Sequence, residues 1–357
     1  MLKKTIRRLG ALAMVLAMAV SVFAVNASAV ETVPGNAEAK FAFKKTVITD
    51  GNTYAPNTSF SYSVTDGEKG SIKDANNKDV PVLKGQGGVT LTATVFAPTI
   101  DGMTTVADSY EVSGNIVVAA NTFTTTGVYH YVVKEDSTPA YEGITYDETE
   151  RDLYLYVVRE DGALVVKHAV MVKKGSTTKN EAFVNDYGKK NDKIHKVTVT
   201  KEVTGLLADK NKEFEFTVSV KGAAGEKYKV GYKVTADAAE QVTYVDSTTT
   251  TGAEGIVKER KIKIKDTGCI VIYGLSKTDV YTVNEKDYSS EGYTTEKREN
   301  SGSITEGKDG DVNITVENKY DTASPTGVIM TIAPYALMVV LAGAFAVVFL
   351  TRRNRAE

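Results

Sequence analysis

The stretch VYTVNEKDY, Val280 to Tyr288, has the alternation of a β-strand and closes it on a carboxylate. Successive side chains of a strand point to opposite faces, so Tyr281 and Val283 share one face and Glu285 falls next on it. Either the strand stops short and Glu285 sits in water, or a carboxyl group is aimed at a core. Comparison with the rest of the chain bears on which.

Short runs of period two recur along the chain between Gly, Asn, Asp and Pro. They predict strands over 40–48, 59–64, 89–96, 111–118, 128–135, 151–159, 164–172 and 181–185. A second set is predicted over 196–203, 213–220, 228–234, 256–265, 269–273, 280–285, 293–297 and 312–318. No amphipathic helix of useful length is predicted. The polar stretch YGKKNDKIH, 187–195, reads as a linker. Regular short strands with frequent turns predict an all-β protein of two tandem immunoglobulin-like β-sandwich domains. The single cysteine, Cys269, excludes a disulfide within the chain and reads as a small buried hydrophobe in GCIVIYGL.

The two sets resemble each other. FAFKKTV (41–47) parallels VTVTKEV (197–203), YHYVVKE (129–135) parallels YTVNE (281–285), and AFVND (182–186) parallels TVENK (315–319). Strand parity puts Lys45 in the row of Phe41, Phe43 and Val47, and Lys201 in the row of Val197, Val199 and Val203. Glu135 continues Tyr129, Tyr131 and Val133, as Glu285 continues Tyr281 and Val283. Asn185 follows Phe183, and Asn318 follows Val312, Ile314 and Val316. One inward polar residue is noise, but the same Lys, Glu and Asn set twice is a signal. Lys44, the neighbour that competes with Lys45, falls on the outward face.

Burying an unpaired charge is costly, so each set is expected to meet internally. A buried Lys–Glu ion pair with Asn as hydrogen-bond partner satisfies that demand. So does a covalent outcome. Burial lowers a lysine pKa and raises a glutamate pKa, and a neutral lysine amine is a nucleophile. A protonated Glu can polarise the Asn side-chain carbonyl and carry a proton to leaving ammonia. The product is an amide between the Lys and Asn side chains.

The chain ends are patterned too. Lys3, Lys4, Arg7 and Arg8 precede an apolar run closed by Ala27-Ser28-Ala29, the layout of a secretory signal peptide over 1–29. The uncharged stretch 328–350 is long enough for a membrane span, and the basic residues of 351–357 hold its end on the cytoplasmic side. Before it stands Ala323-Ser324-Pro325-Thr326-Gly327. Motif, span and basic tail together resemble the sorting signal read by sortases of Gram-positive bacteria, with Ala-Ser-Pro-Thr-Gly in place of Leu-Pro-x-Thr-Gly. That resemblance places the cut between Thr326 and Gly327. The formal charge of the chain is −2, and removing the leader's four basic residues and the tail's three Arg and one Glu leaves −8. A moderately acidic surface gives no reason to expect nucleic-acid binding.

Taken together, the residues resemble the backbone (major) pilins of Gram-positive bacteria, most closely the two-domain streptococcal type. The stretch YTVNEKDYSSEGYT (281–294) looks like the E-box of such domains, and GITYDETERDLYLYVVREDG (143–162) like the pilin linker region. The resemblance implies CnaB-type domains over 30–190 and 191–322, followed by a sorting motif over 323–327. It implies self-formed bonds from Lys45 to Asn185, promoted by Glu135, and from Lys201 to Asn318, promoted by Glu285. It implies a sortase acceptor lysine shortly before the last strand of the first domain. In VKKGSTTKNEAFVN (172–185) that is Lys179, ahead of Lys173 and Lys174.

The implied role is a pilus shaft subunit, secreted, membrane-anchored before sorting, then held at the cell wall of a Gram-positive bacterium. Implied partners are a sortase, further copies of the chain in a covalent head-to-tail polymer, minor pilins, peptidoglycan and a host surface receptor. No cofactor is expected. The alternative is a wall-anchored monomeric adhesin or minor pilin, although no additional ligand-binding domain is evident. An enzyme is disfavoured. His130, His168, His195 and one Cys assemble no convincing metal cluster or triad, and no phosphate loop is evident.

Overall fold

The computed structural model describes residues 35–321 without 75, 177, 178, 180, 181, 251–254, 306, 308 and 309, together with 338, 339, 341 and 342. The leader 1–29, the motif 323–327 with Thr326 and Gly327, the tail 351–357 and nearly all of 328–350 lie outside the described residues. Among the described residues, no helix is long and apolar enough to cross a membrane.

Two sandwiches follow one another along the chain. In the first, one sheet runs in the order Ile144–Thr145, Ala182–Tyr187, Ala39–Thr49, Ser109–Val118, Val89–Leu91. The other runs Ala163–Lys173, Arg151–Glu160, Gly127–Glu135, Asp79–Lys84, Gly70–Lys73, and Tyr62–Asp66 also pairs with Gly127–Glu135. Phe43, Phe183, Tyr129, Val133 and Leu155 belong to the core they enclose. In the second sandwich, one sheet runs Gln241–Asp246, Lys227–Lys233, Cys269–Leu275, His195–Thr204, Val312–Lys319, Thr294–Glu296. Its partner runs Arg260–Ile264, Phe214–Lys221, Val280–Glu285, Glu299–Ser303. The core between them includes Val199, Phe214, Phe216, Ile272 and Val283.

In each sandwich the first and last strands are parallel neighbours. Ala39–Thr49 pairs with Ala182–Tyr187, and His195–Thr204 pairs with Val312–Lys319. Parallel neighbours cannot be joined by a tight hairpin, so the intervening chain of each sandwich loops between them.

Several elements differ from the sequence reading. The strands Gly70–Lys73, Asp79–Lys84, Ile144–Thr145, Gln241–Asp246 and Glu299–Ser303 were not predicted from the periodicity. They are short or partly exposed, and Asp79–Lys84 carries Pro81, which marks down a strand assignment. The expected strand 89–96 is two strands, Val89–Leu91 and Thr94–Phe96, which belong to different sheets. The expected strand 256–265 shortens to Arg260–Ile264. Cys269 is half-buried at the start of its strand rather than fully enclosed.

The connection between the sandwiches is tied down. The Asn191 side-chain amide donates to Asp186 O, Gly143 O and Thr145 Oγ1. Across the junction, Tyr141 Oη donates to Glu226 Oε1 at 2.6 Å and Lys229 Nζ donates to Asn52 Oδ1 at 2.7 Å.

Candidate functional site

Lys45 is placed by its own strand. In Ala39–Thr49 the core-facing row is Phe43, Lys45, Val47 and Thr49, all buried, while Lys44 is exposed. Lys45 aligns with Phe183 on the parallel neighbour and Val47 aligns with Asn185. Asn185 therefore stands two residues further along the same inward row. Glu135 comes from the facing sheet, at the end of Gly127–Glu135.

The three side chains meet in the core. Lys45 Nζ lies 2.8 Å from Glu135 Oε1 and 2.7 Å from Oε2. Asn185 Nδ2 donates to Glu135 Oε1 at 2.7 Å. Lys45 and Asn185 are both 0% exposed, so water does not screen the group. The ring of Phe60 lies 4.5 Å from the Lys45 ammonium and offers a weak cation–π contact in place of solvent. Burial pushes the Lys45 pKa down to about 8 against the opposing pull of Glu135. Burial also raises Glu135, against the pull of Lys45. Both shifts favour moving the proton from amine to carboxylate.

The second sandwich repeats the arrangement. Lys201 aligns with Val316 and Val203 with Asn318, the same offset of two. Lys201 Nζ lies 3.4 Å from Glu285 Oε1, and Asn318 Nδ2 donates to that same oxygen at 3.1 Å. Glu285 is buried at the end of Val280–Glu285, behind Tyr281 and Val283, so the strand does carry its carboxylate into the core. Phe214 takes the place of Phe60, 4.7 Å from the ammonium. Burial lowers Lys201 to about 8 and raises Glu285. This group is looser than the first. Lys201 Nζ also donates to the main-chain oxygens of Val316 and Glu202, and Glu285 Oε2 and Asn318 Oδ1 have no hydrogen-bond partner among the described residues.

One expectation about the chemistry changes. Glu135 was expected to face the carbonyl oxygen of Asn185, but it faces the amide nitrogen. The main-chain N–H of Asp147 donates to Asn185 Oδ1 at 2.8 Å, and reversing the amide would set two donors against each other. The Asp147 loop is held by Arg151, whose guanidinium lies 2.6 Å from Asp147 Oδ2 and stacks on the Phe183 ring. Sequence reading missed Arg151, although it shares parity with Leu153, Leu155 and Val157, and all four are buried.

The acceptor-lysine candidates sit at the surface. Lys179 is exposed and pairs in an antiparallel bridge with Val172, close to the strand that carries Asn185. Lys173 is exposed, and Lys174 is exposed and paired with Glu150. Lys44 pairs at the surface with Glu111 at 2.7 Å. Among the described residues, no cluster of His, Cys, Asp and Glu is arranged to hold a metal ion.

Comparison with known proteins follows the division between the sandwiches. Residues 41–188 match a family model described as a Spy0128-like isopeptide containing domain. Residues 195–320 match one described as a domain of unknown function (DUF7601). The chain is 31% identical over 253 residues to a pilin of Streptococcus pyogenes serotype M1, covering 65% of this chain and 69% of that one. It is 28% identical over 135 residues to the pilus tip adhesin Cpa of Streptococcus pyogenes, covering 37% of this chain and 18% of the adhesin. Among solved structures, the major pilin from Streptococcus pyogenes superposes with a TM-score of 0.55 at 23% identity, over 79% of this chain and 99% of that one. The major pilin protein T3.2 of the same species superposes with a TM-score of 0.52 at 22% identity, over 81% and 100%. Both structural likenesses are likenesses of fold.

Proposed function

This chain belongs to the family of the streptococcal backbone pilins, and we propose that it forms the shaft of a cell-surface pilus. In this reading a sortase joins the subunits head to tail and one Lys–Asn amide braces each sandwich. The observation that carries the reading is the buried Lys, Glu and Asn set, present twice at the same strand offset. A subunit without a disulfide that bears load outside the cell gains from covalent ties between its terminal strands.

The chemistry balances without a cofactor. Glu135 takes a proton from the Lys45 ammonium, and the freed amine attacks Asn185 Cγ. The carboxyl gives that proton to the Asn185 amide nitrogen facing it, the C–N bond breaks, and ammonia leaves. Glu135 then takes a proton from the attacking nitrogen. A buried ion pair becomes a neutral amide beside a neutral carboxyl, so the desolvation cost of two charges disappears. Glu285 does the same for Lys201 and Asn318. This is a single intramolecular event, so the protein is structural and not an enzyme in the turnover sense.

In the same reading, residues 1–29 are removed on export, and the domains occupy 30–190 and 191–322. The motif 323–327 is cut between Thr326 and Gly327, and the new Thr326 carbonyl is passed to Lys179 of the next copy. The span 328–350 and tail 351–357 hold the chain in the membrane until then. The last subunit is passed to peptidoglycan, and minor pilins share the polymer. The surface position of Lys179, on the lead-in to the last strand of the first sandwich, supports the choice. Extracts of the producing cell run on a denaturing gel test this directly. A ladder that resists detergent is expected, and a single band would contradict it.

The match to a tip adhesin favours a second reading, a minor pilin or a wall-anchored monomer. It predicts that single band.

A further inference from the structure

We infer that the main-chain N–H of Asp147 is the oxyanion donor for amide formation in the first sandwich, held in place by the buried Arg151. The inference rests on the Lys45–Asn185 bond proposed above.

When an amine adds to an amide carbonyl, negative charge develops on the oxygen. A donor already aimed at that oxygen lowers the barrier because nothing must reorganise. The oxygen here is Asn185 Oδ1, and Asp147 N–H points at it from 2.8 Å. The amide nitrogen, which leaves, points the other way toward Glu135 at 2.7 Å. Each end of the amide therefore faces the group it needs, an N–H at the oxygen and a proton carrier at the nitrogen.

The donor is anchored to the strand that carries its acceptor. Asp147 Oδ2 accepts from Val184 N at 3.2 Å, and Asp147 Oδ1 accepts from Thr149 N at 3.0 Å. Arg151 Nη2 reaches Asp147 Oδ2 at 2.6 Å and Ala182 O at 2.7 Å, and its Nη1 reaches Thr149 O at 2.8 Å. The guanidinium carbon lies 3.7 Å from the centroid of the Phe183 ring. Ala182, Phe183 and Val184 immediately precede Asn185, so the donor loop is bonded to the strand that carries the acceptor. Arg151 is 1% exposed, and a planar fork is what holds three oxygens at once. Arg151 is thus a positioning residue, acting through the loop it closes.

Among the described residues, the second sandwich lacks this device. Asn318 Oδ1 is buried with no hydrogen-bond partner among the described residues. Its bond therefore has no preset main-chain donor among the described residues, and it serves as an internal clock for the first.

The test uses the full chain made by cell-free translation with detergent, quenched at intervals and digested. The cross-linked Lys45–Asn185 and Lys201–Asn318 peptides are quantified by mass spectrometry. Incorporating the α-hydroxy analogue of aspartate at position 147 replaces the amide N–H by an ester oxygen and keeps the side chain. This variant is expected to form the first bond about 10²- to 10³-fold more slowly, the usual effect of losing one such donor. The second bond should keep its rate, and the pH midpoint of the first should not move. Arg151→Met is expected to slow the first bond similarly, and Arg151→Lys to fall between it and the native chain. If Arg151→Met does not fold, the ester variant decides alone. A first bond that forms at the native rate in the ester variant overturns the inference. A native chain that yields no Lys45–Asn185 peptide at all refutes the bond itself, and the inference falls with it.

Discussion

Asn185 stands two residues beyond the register partner of Lys45 on the adjacent parallel strand, and one oxygen, Glu135 Oε1, bonds to both side chains. Lys201 and Asn318 repeat the offset around Glu285 Oε1. The geometry follows from topology. First and last strands lie side by side in one sheet, and the end of a middle strand faces them from the other. An amide at this point closes nearly the whole sandwich into a covalent loop.

The glutamates are the first place to test this account. Glu135→Ala is expected to leave Asn185 intact and the second bond formed, so the protein retains one of the two ammonias. Glu285→Ala should give the mirror result. Each variant also strands a buried lysine, which typically costs about 3–5 kcal/mol. Intact mass and thermal unfolding check both halves of the expectation.

Lys44 and Lys45 are adjacent in sequence and face opposite ways, one exposed and one buried. Lys44→Ala removes only an exposed pair with Glu111, so it should change stability by less than about 1 kcal/mol and leave both bonds. Lys45→Ala should abolish the first bond. Peptide mapping separates the two, and a lost bond in Lys44→Ala would reassign the nucleophile.

The chain without its first bond has a defined pH response. In an Asn185→Ala chain, Lys45 stays free with its pKa pushed down to about 8 from 10.5. The unfolded chain then binds more protons between those values, so the contribution of Lys45 to stability rises with pH across that window. The slope approaches about 1.4 kcal/mol per pH unit, and the contribution is flat below it. Urea unfolding from pH 7 to 10 measures it, and a contribution that falls with pH would contradict the burial argument.

Asp279 has the opposite sign. Burial first, and Glu226 second, raise its pKa to about 7 from 3.8. The folded state therefore holds a proton that the unfolded chain has released. This contribution is complete at pH 3.8 and below, and is lost as pH climbs to about 7. Asp279→Asn removes the titration and should raise stability at pH 8 relative to the native chain, with little change near pH 4. A variant no more stable at pH 8 would show that folding does not raise the Asp279 pKa.

Lys179→Ala should abolish the detergent-resistant ladder while leaving the monomer folded with both bonds. An unchanged ladder would move the acceptor to Lys173 or Lys174.

Much of this site is legible in the sequence because strand parity is a two-state variable. Phe43, Lys45 and Val47 are enough to say that Lys45 points inward, and repetition in Val199, Lys201 and Val203 makes the pattern hard to ascribe to chance. The same rule applied to Arg151, Leu153 and Leu155 would have flagged the arginine that closes the Asp147 loop. The donor itself could not be read that way. A main-chain N–H carries no residue identity, and the Asp147 loop has no period. The Tyr141–Glu226 contact is equally silent, since it joins different sandwiches. The missed strands are those whose neighbours, not their own residues, hold them extended. Gln241–Asp246 is such a strand, partly exposed and paired along one side to Lys227–Lys233.

The most direct test of the central claim is the intact mass of recombinant residues 30–326. A deficit of two ammonias from the sequence mass is predicted, with Lys45–Asn185 and Lys201–Asn318 recovered as joined peptides. A mass equal to that of the sequence would mean that both sets are buried ion pairs and that no covalent brace exists.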